Sequence, residues 1–387
     1  MRTHDVAVIG AGIAGLWCAR ALASRGVDVL LIDTLRELDE TVRTTGIFVR
    51  RTLEDFDLPS EAFGPPIRRV VLHSPREREI VFETATPEFR IADMRVLSRA
   101  LLRDSLRAGI TFRPDTRFDG LAAATPVRLQ LRTGIGRERR TTYARARFVV
   151  GADGARSRVA ASLGLARNTD FLLGVEDVYE NVELAVPGVL HCYLSTALAP
   201  GYIGWFAHAG TSAHLGIASD VDRFQSAGSL RTLADIARHT VAPLPNTAHE
   251  RRGGLIPCNG VLPRIACAYG LLVGDAAGAV SPLTAGGLDG CVRLSDFAAR
   301  VIPEHLAGDR HALDRYDGRR FASRFIARRW MRRLLRISND EMLELLCAAL
   351  ALPLGRQLGA HVFFGRGSFP DIDPLVPKKH VAHRLAQ

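Results

Sequence analysis

A chain of 387 residues, 47% of them hydrophobic, is long enough for one large or two moderate domains with a real core. Its net charge of +10 is almost entirely arginine, and the only lysines, Lys378 and Lys379, sit in the tail, which excludes Schiff-base chemistry in the body. No run of about 18 apolar residues exists, so nothing reads as a membrane span, and six scattered cysteines without C-x-x-C spacing argue against a metal site and suit a reducing cytoplasm.

The first predicted element is the apolar strand Val6-Ala7-Val8-Ile9, which reads as a strand rather than a signal peptide. Gly10-Ala11-Gly12-Ile13-Ala14-Gly15 follows, and Leu16 to Ser24 reads as a helix. In this G-x-G-x-x-G the first glycine makes the tight turn, the second lets backbone approach a pyrophosphate, and the third permits close helix–strand packing. A second strand, Val27 to Ile32, ends at Asp33, placed to bind the hydroxyls of an adenosine ribose. Val70 to Arg90 reads as β-rich and Met94 to Ala108 as a helix.

Phe148-Val149-Val150 is a strand leading into Gly151-Ala152-Asp153-Gly154. From Phe171 to about Pro257 apolar residues alternate with polar ones: Val182, Leu184 and Val186, then Leu190, Cys192 and Leu194. Tyr202 to His208 and His214 to Ala218 alternate around Gly210-Thr211-Ser212, a hairpin signal. Tyr202, Phe206 and His208 share one face of the first of these strands; Ile203, Trp205 and Ala207 share the other. One face is expected to look into a substrate cavity, with Tyr202 and His208 as acid–base candidates.

Leu271 to Val273 is a short strand ending at Gly274-Asp275, and Gly286-Gly287-Leu288 opens an apolar helix. A carboxylate at a strand end can accept bonds from a polyol, and a helix start offers free N–H groups and a positive dipole end. Beyond Gly308 the pattern turns helical. Arginines from Arg319 to Arg336 interleave with Phe325, Trp330 and Leu334, a basic amphipathic segment that fits a solvated face, an anionic membrane surface, or an acidic electron-donor protein. No nucleic-acid-binding pattern surrounds these arginines.

The G-x-G-x-x-G, Asp153-Gly154 and Gly274-Asp275 segments stand in the order found in FAD-dependent oxidoreductases of the para-hydroxybenzoate hydroxylase type, and the chain resembles that group from residue 3 to about 300. Within it, Gly-Asp-Ala-Ala followed by Gly278, where hydroxylases typically carry histidine, is similar to the geranylgeranyl reductase family. So is Pro200-Gly201-Tyr202-Ile203-Gly204-Trp205-Phe206, although it continues as Ala207-His208 and not Pro-Lys. Thr45 also stands about where archaeal-type members often carry a cysteine.

The resemblance implies an α/β fold: a Rossmann-like, GR2-type FAD-binding domain, discontinuous over 1–72, 94–160 and 262–310. An antiparallel β-sheet substrate domain spans 73–93 and 161–261, and a helical region spans 311–387. It implies Asp153 and Gly154 near the pyrophosphate, with Arg43 and Arg95 contacting the cofactor. It places Gly274 and Asp275 on the ribityl chain, and Gly286, Gly287 and Leu288 beside the flavin ring. Reduction of a C=C bond in an apolar substrate by hydride from flavin N5 is the expected activity, with NAD(P)H or a protein as reductant. The alternatives are an oxygen-using monooxygenase and a non-redox cyclase or isomerase. A cytoplasmic location, peripheral to the membrane in one reading, goes with it.

Overall fold

The computed structural model describes residues 2–38, 41–124, 127–134, 140–184, 186–224 and 226–365; Lys378 and Lys379 lie outside the described residues. Nine helices of α type occur among them: α1 Ile13–Ala23, α2 Arg50–Asp55, α3 Met94–Arg107, α4 Arg158–Ser162, α5 Ser226–Thr240, α6 Leu288–Leu306, α7 Ile326–Ile337, α8 Asp340–Ala351 and α9 Pro353–Phe364.

The first sheet runs in the order Ala266–Cys267, Gly270–Leu272, Arg140–Gly151, Thr3–Ile9, Val29–Ile32, Thr111–Arg113. From Gly270–Leu272 onward its neighbours are parallel. Parallel strands covered on both faces need near-continuous apolar runs, and Val6, Val8, Leu30, Leu31, Val149 and Val150 are all fully buried. Helices α1, α3 and α6 pack together beside this sheet. The three glycine-bearing segments therefore meet at the carboxyl ends of adjacent parallel strands, although more than 250 residues separate the first from the last.

The second sheet has seven strands in the order Glu250–Pro257, Phe171–Glu180, Ser212–Asp220, Gly204–His208, Val189–Tyr193, Arg69–His73, Glu79–Glu83, antiparallel except for the pairing of Val189–Tyr193 with Arg69–His73. The expected boundary at residue 72 falls inside Arg69–His73, because that strand pairs with Val189–Tyr193 and not with the first sheet. A small third sheet joins Ile47–Val49, Phe89–Ala92 and Phe63–Ile67.

Several expectations need correction. Val182, Leu184 and Val186 are not in a strand: Val182 donates its N–H to Thr211 O, and the chain turns at Gly188, whose φ is +74°. Helix α5 interrupts the stretch from Phe171 to about Pro257, whose alternation reads as β-rich. Its Leu230, Leu233 and Ala237, at i, i+3 and i+7, bury against Phe206 and Leu215 of the sheet. Each buried leucine there contributes about 1.5–3 kcal/mol. The basic segment 319–336 is not one helix: a 3₁₀ run, Gly318–Phe325, precedes α7. Helices α8 and α9 meet at a 102° bend. The cause is local, since Leu352 is extended ahead of Pro353, which lacks an N–H and disfavours a helical residue before it.

Candidate active site

One cavity of about 1270 Å³ lies between the two sheets and the C-terminal helices. Part of its wall is glycine and carboxylate: Gly12, Asp153, Gly154, Asp275, Gly286 and Gly287. Another part is apolar, where Leu190, Cys192 and Leu194 of the second sheet are joined by Met331 and Leu335 of α7, Leu346 of α8 and Leu358 of α9. The cavity is continuous from one wall type to the other.

The glycine loops divide into two kinds. Gly10, Gly15 and Gly274 do not line the cavity; they allow the three segments to touch. A Cβ on Gly10 would stand 2.3 Å from Ala152 O, on Gly15 1.8 Å from Gly10 O, and on Gly274 2.7 Å from the Ala14 side chain. Gly12 is different. It lines the cavity, and a Cβ there would meet nothing within 4 Å. It is also the N-cap of α1 and carries no side-chain cap, so the first-turn N–H groups are left for another acceptor. Ile13 and Ala14, in that first turn, line the cavity too.

Asp33 accepts the Ala11 N–H at 2.6 Å and the Leu35 N–H at 2.8 Å. It braces the loop from behind and stands outside the lining of the cavity. Asp153 lines the cavity, but its carboxylate caps the next helix, accepting from Ser157 Oγ at 2.6 Å and from the N–H groups of Arg158 and Val159. Burial pushes its pKa up, and those bonds oppose the push. Arg43 and Gly154 are also in the wall. Arg95 is not: its guanidinium pairs with Glu250 at 2.8 Å, tying α3 to the second sheet.

Asp275 is in the wall and makes no side-chain hydrogen bond with any described residue. Burial alone pushes its pKa up to about 6. A half-buried carboxylate without a partner is costly, and hydroxyl donors would relieve it. Beside it, α6 starts at Gly287 without a side-chain cap, and Gly286, Gly287 and Leu288 line the cavity. A Cβ on Gly287 would come 3.6 Å from Asp275 Oδ1. Ala285, also in the wall, has φ +50°, a left-handed conformation rare for alanine.

The two acid–base candidates part company. Tyr202 is buried, lines the cavity, and has the Arg332 guanidinium 5.6 Å from its ring centre. Its hydroxyl bonds to no described residue, and burial raises its pKa well above 10, so it keeps its proton. It is not on the strand, which begins at Gly204 after a turn at Gly201, whose φ is +78°. His208 is on the far face of that strand, with Phe206, under α5. Its Nε2 lies 2.6 Å from Val182 O, so it ties a loop down and does not reach the cavity. The cavity face is the one carrying Ile203 and Trp205.

A charged cluster in the wall escaped the sequence reading. Glu176, in the middle of the strand Phe171–Glu180, accepts from Thr45 Oγ1, from Trp205 Nε1 at 3.2 Å, and pairs with His214 Nδ1 at 3.1 Å. Arg252 lies 3.7 Å away. Burial pushes the Glu176 carboxyl up, but the bonds and charge from His214, the Thr45 bond and the Arg252 charge outweigh it and hold it below the usual range. The only sequence signal was a pair of acids, Glu176 and Asp177, in the middle of a β-patterned stretch.

Elsewhere, Asp220 at the end of Ser212–Asp220 takes Arg332 at 2.6 Å, Arg223 at 2.6 Å and Arg336 at 3.2 Å. Helix α7 is thereby fastened to the second sheet.

Comparison with known proteins gives three kinds of match. Residues 3–201, slightly more than half the chain, match a family described as FAD binding domain. Digeranylgeranylglycerophospholipid reductase 1 of Methanococcoides burtonii is 26% identical over 322 residues, which is 79% of this chain and 76% of the relative. Digeranylgeranylglycerophospholipid reductase 3 of Methanosphaera stadtmanae is 26% identical over 369 residues, 90% of each chain. A geranylgeranyl bacteriochlorophyll reductase-like crystal structure from Thermoplasma acidophilum shares the fold, with a TM-score of 0.79 at 21% identity, covering 94% of this chain and 97% of that one.

Proposed function

The chain belongs to the FAD-binding-domain family, and on that premise we propose that it is an FAD-dependent oxidoreductase that reduces a C=C bond of an apolar, isoprenoid-like substrate. When bound, FAD supplies hydride from N5 of the reduced flavin. The observation that carries the reading is the continuity of the cavity, in which the glycine and Asp275 wall runs on without a break into an apolar wall. The relatives named as reductases of a digeranylgeranyl lipid act on a substrate of that character.

What supports FAD at this seat is the partnerless Asp275 carboxylate, the open space before Gly12, and two uncapped helix starts. Asp275, seated by the close packing at Gly274, would hold the ribityl chain; Gly12, Ile13, Ala14, Asp153, Gly154 and Arg43 would take the pyrophosphate end. The N–H groups of Gly286, Gly287 and Leu288, at an uncapped helix start in the wall, would meet the ring edge, where partial positive charge favours an anionic ring. Asp33 holds the loop in shape from outside the cavity. Saturating one C=C bond needs a hydride and a proton, and the Tyr202 hydroxyl, which stays protonated in its buried position, provides the proton. NAD(P)H or an acidic protein is the reductant, and the segment 319–336 contacts an anionic membrane surface.

The test is anaerobic. The purified enzyme is reduced, offered isoprenoid lipids, and the product weighed. A gain of two hydrogens per turnover is expected. Turnover only after oxygen is admitted, with one oxygen gained, would overturn the reading.

A further inference from the structure

Helix α7 does not present a basic face to solvent in the manner its sequence implies. Ile326, Trp330, Leu334 and Ile337, at i, i+4, i+8 and i+11, are all exposed, from 50% to 71%. That spacing puts them on one stripe. The arginines lie along one side of it: Arg332 is buried on Asp220, and Arg333 stands over the Trp330 ring. Helices α8 and α9 continue the pattern, with Leu345 72% and Leu354 78% exposed. Soluble proteins scatter such residues; a contiguous set marks a contact surface.

The same helices form the apolar mouth of the cavity. Leu334, Met342, Leu346 and Leu358 both line the cavity and are exposed. The outer apolar surface and the inner apolar wall are therefore one continuous lining, joined at this rim. Each of α8 and α9 has 12 residues, so each is about 18 Å long, short of the ~30 Å hydrocarbon core. Together they are apolar enough for a span but are bent by 102°, a shape that lies within one leaflet.

We propose that α7, α8 and α9 are a membrane-docking portal: the Trp330 stripe and the α8–α9 elbow enter one leaflet of an anionic bilayer, and the substrate passes from the lipid into the cavity without crossing water. This rests on the proposed reduction of an apolar substrate, and moves the membrane contact from the arginine side of α7 to its outer stripe. Charge decides for lipid of negative sign. Arg329 and Arg333 border the stripe along one side and Arg356 is exposed on α9, whereas the acids of α8 are occupied: Asp340 accepts from the Thr196 N–H and hydroxyl, Glu341 pairs with Arg76, and Glu344 accepts the Arg76 N–H. Basic side chains beside an inserting apolar face are what anionic headgroups retain.

The experiment uses the full chain and vesicles of phosphatidylcholine with or without phosphatidylglycerol. The expected result is co-sedimentation with the anionic vesicles and a blue shift of Trp330 emission, absent in Trp330→Phe. Replacing Leu345 and Leu354 together by Glu weakens vesicle binding at least about tenfold, since two leucines no longer leave water. Both side chains are exposed and neither lines the cavity, so melting temperature and reduction of a detergent-dispersed substrate stay unchanged. No vesicle binding, equal binding to the zwitterionic vesicles, equal binding by the double variant, or a dimer in light scattering that buries Trp330 without lipid would each overturn the portal. Reduction without vesicle binding sinks the portal alone; vesicle binding without reduction of any lipid sinks the reductase reading alone.

Discussion

Glu176 and His214 face each other at 3.1 Å across two antiparallel strands, both buried, at the edge of the cavity wall. Glu176 is held by His214, Thr45 and Trp205, and removing its charge takes from the largely buried Arg252 guanidinium, 3.7 Å away, one of its counter-charges. Glu176→Gln is therefore expected to destabilise the protein by about 3 kcal/mol. The sign with pH follows from the direction of the shift. The folded-state pKa lies below its ordinary value of 4.5, so the stabilisation is present above that value and is lost as pH falls through the folded value. Melting curves of wild type and variant should differ at pH 7 and draw together as pH falls below 4.5. A constant difference across that range would contradict the assignment.

Asp275 gives the opposite pH dependence in the cofactor-free protein. Its pKa rises from 3.8 to about 6 on folding, so the folded state binds more protons, and stability declines as pH rises between those values. Asp275→Asn should leave apoprotein stability unchanged at pH 4 and raise it by about 1–2 kcal/mol at pH 8, less than the full shift because the group faces the cavity. Asp275→Ala should lose FAD, read as the ratio of flavin to protein absorbance after gel filtration. Full retention would contradict its placement on the ribityl chain.

Gly278 separates two explanations of one sequence feature. The sequence tied its glycine to reductive chemistry. In the fold it caps a 3₁₀ turn at φ +68°, and a Cβ would stand 2.4 Å from Gly260 O. Gly278→His should cost about 2–4 kcal/mol from left-handed strain and overpacking combined. The expected readout is poor folding yield and a lower Tm, not a gain of hydroxylation.

His208→Ala tests the separation of the two acid–base candidates. Loss of the bond to Val182 O should cost about 1–2 kcal/mol of stability, measured by urea denaturation. The kcat of the surviving enzyme should be unchanged, while Tyr202→Phe lowers kcat with a smaller effect on Tm. A large kcat loss in His208→Ala at preserved stability would reverse the roles.

The cofactor seat was legible because its signals are local. Gly10, Gly15 and Gly274 are demanded by close approaches, and Gly12 by the open space before a helix start, at strand ends that the Asp-Gly and Gly-Asp segments mark. The wall of the cavity was less legible. Helix α5 carried its i, i+3, i+7 leucines and alanine in plain view, but lay between strand patterns that claimed it. The faces of α7 were hidden by composition: arginine suggests solvent, yet Arg332 is buried because Asp220 waits for it 112 residues earlier in the chain. Glu176 and His214 find each other only through strand pairing, which spacing along the chain does not encode.

The two ends of the cavity differ in how they are assembled. The glycine and carboxylate end draws on three stretches spread from Gly12 to Leu288. Much of the apolar end comes from one uninterrupted stretch, 326–364. A single exchange of that stretch, anchored at Asp220, can alter the length and width of the chamber without disturbing the cofactor end. Diversification of such a protein toward new substrates can therefore proceed by swapping one segment, where altering the cofactor would require coordinated change at three.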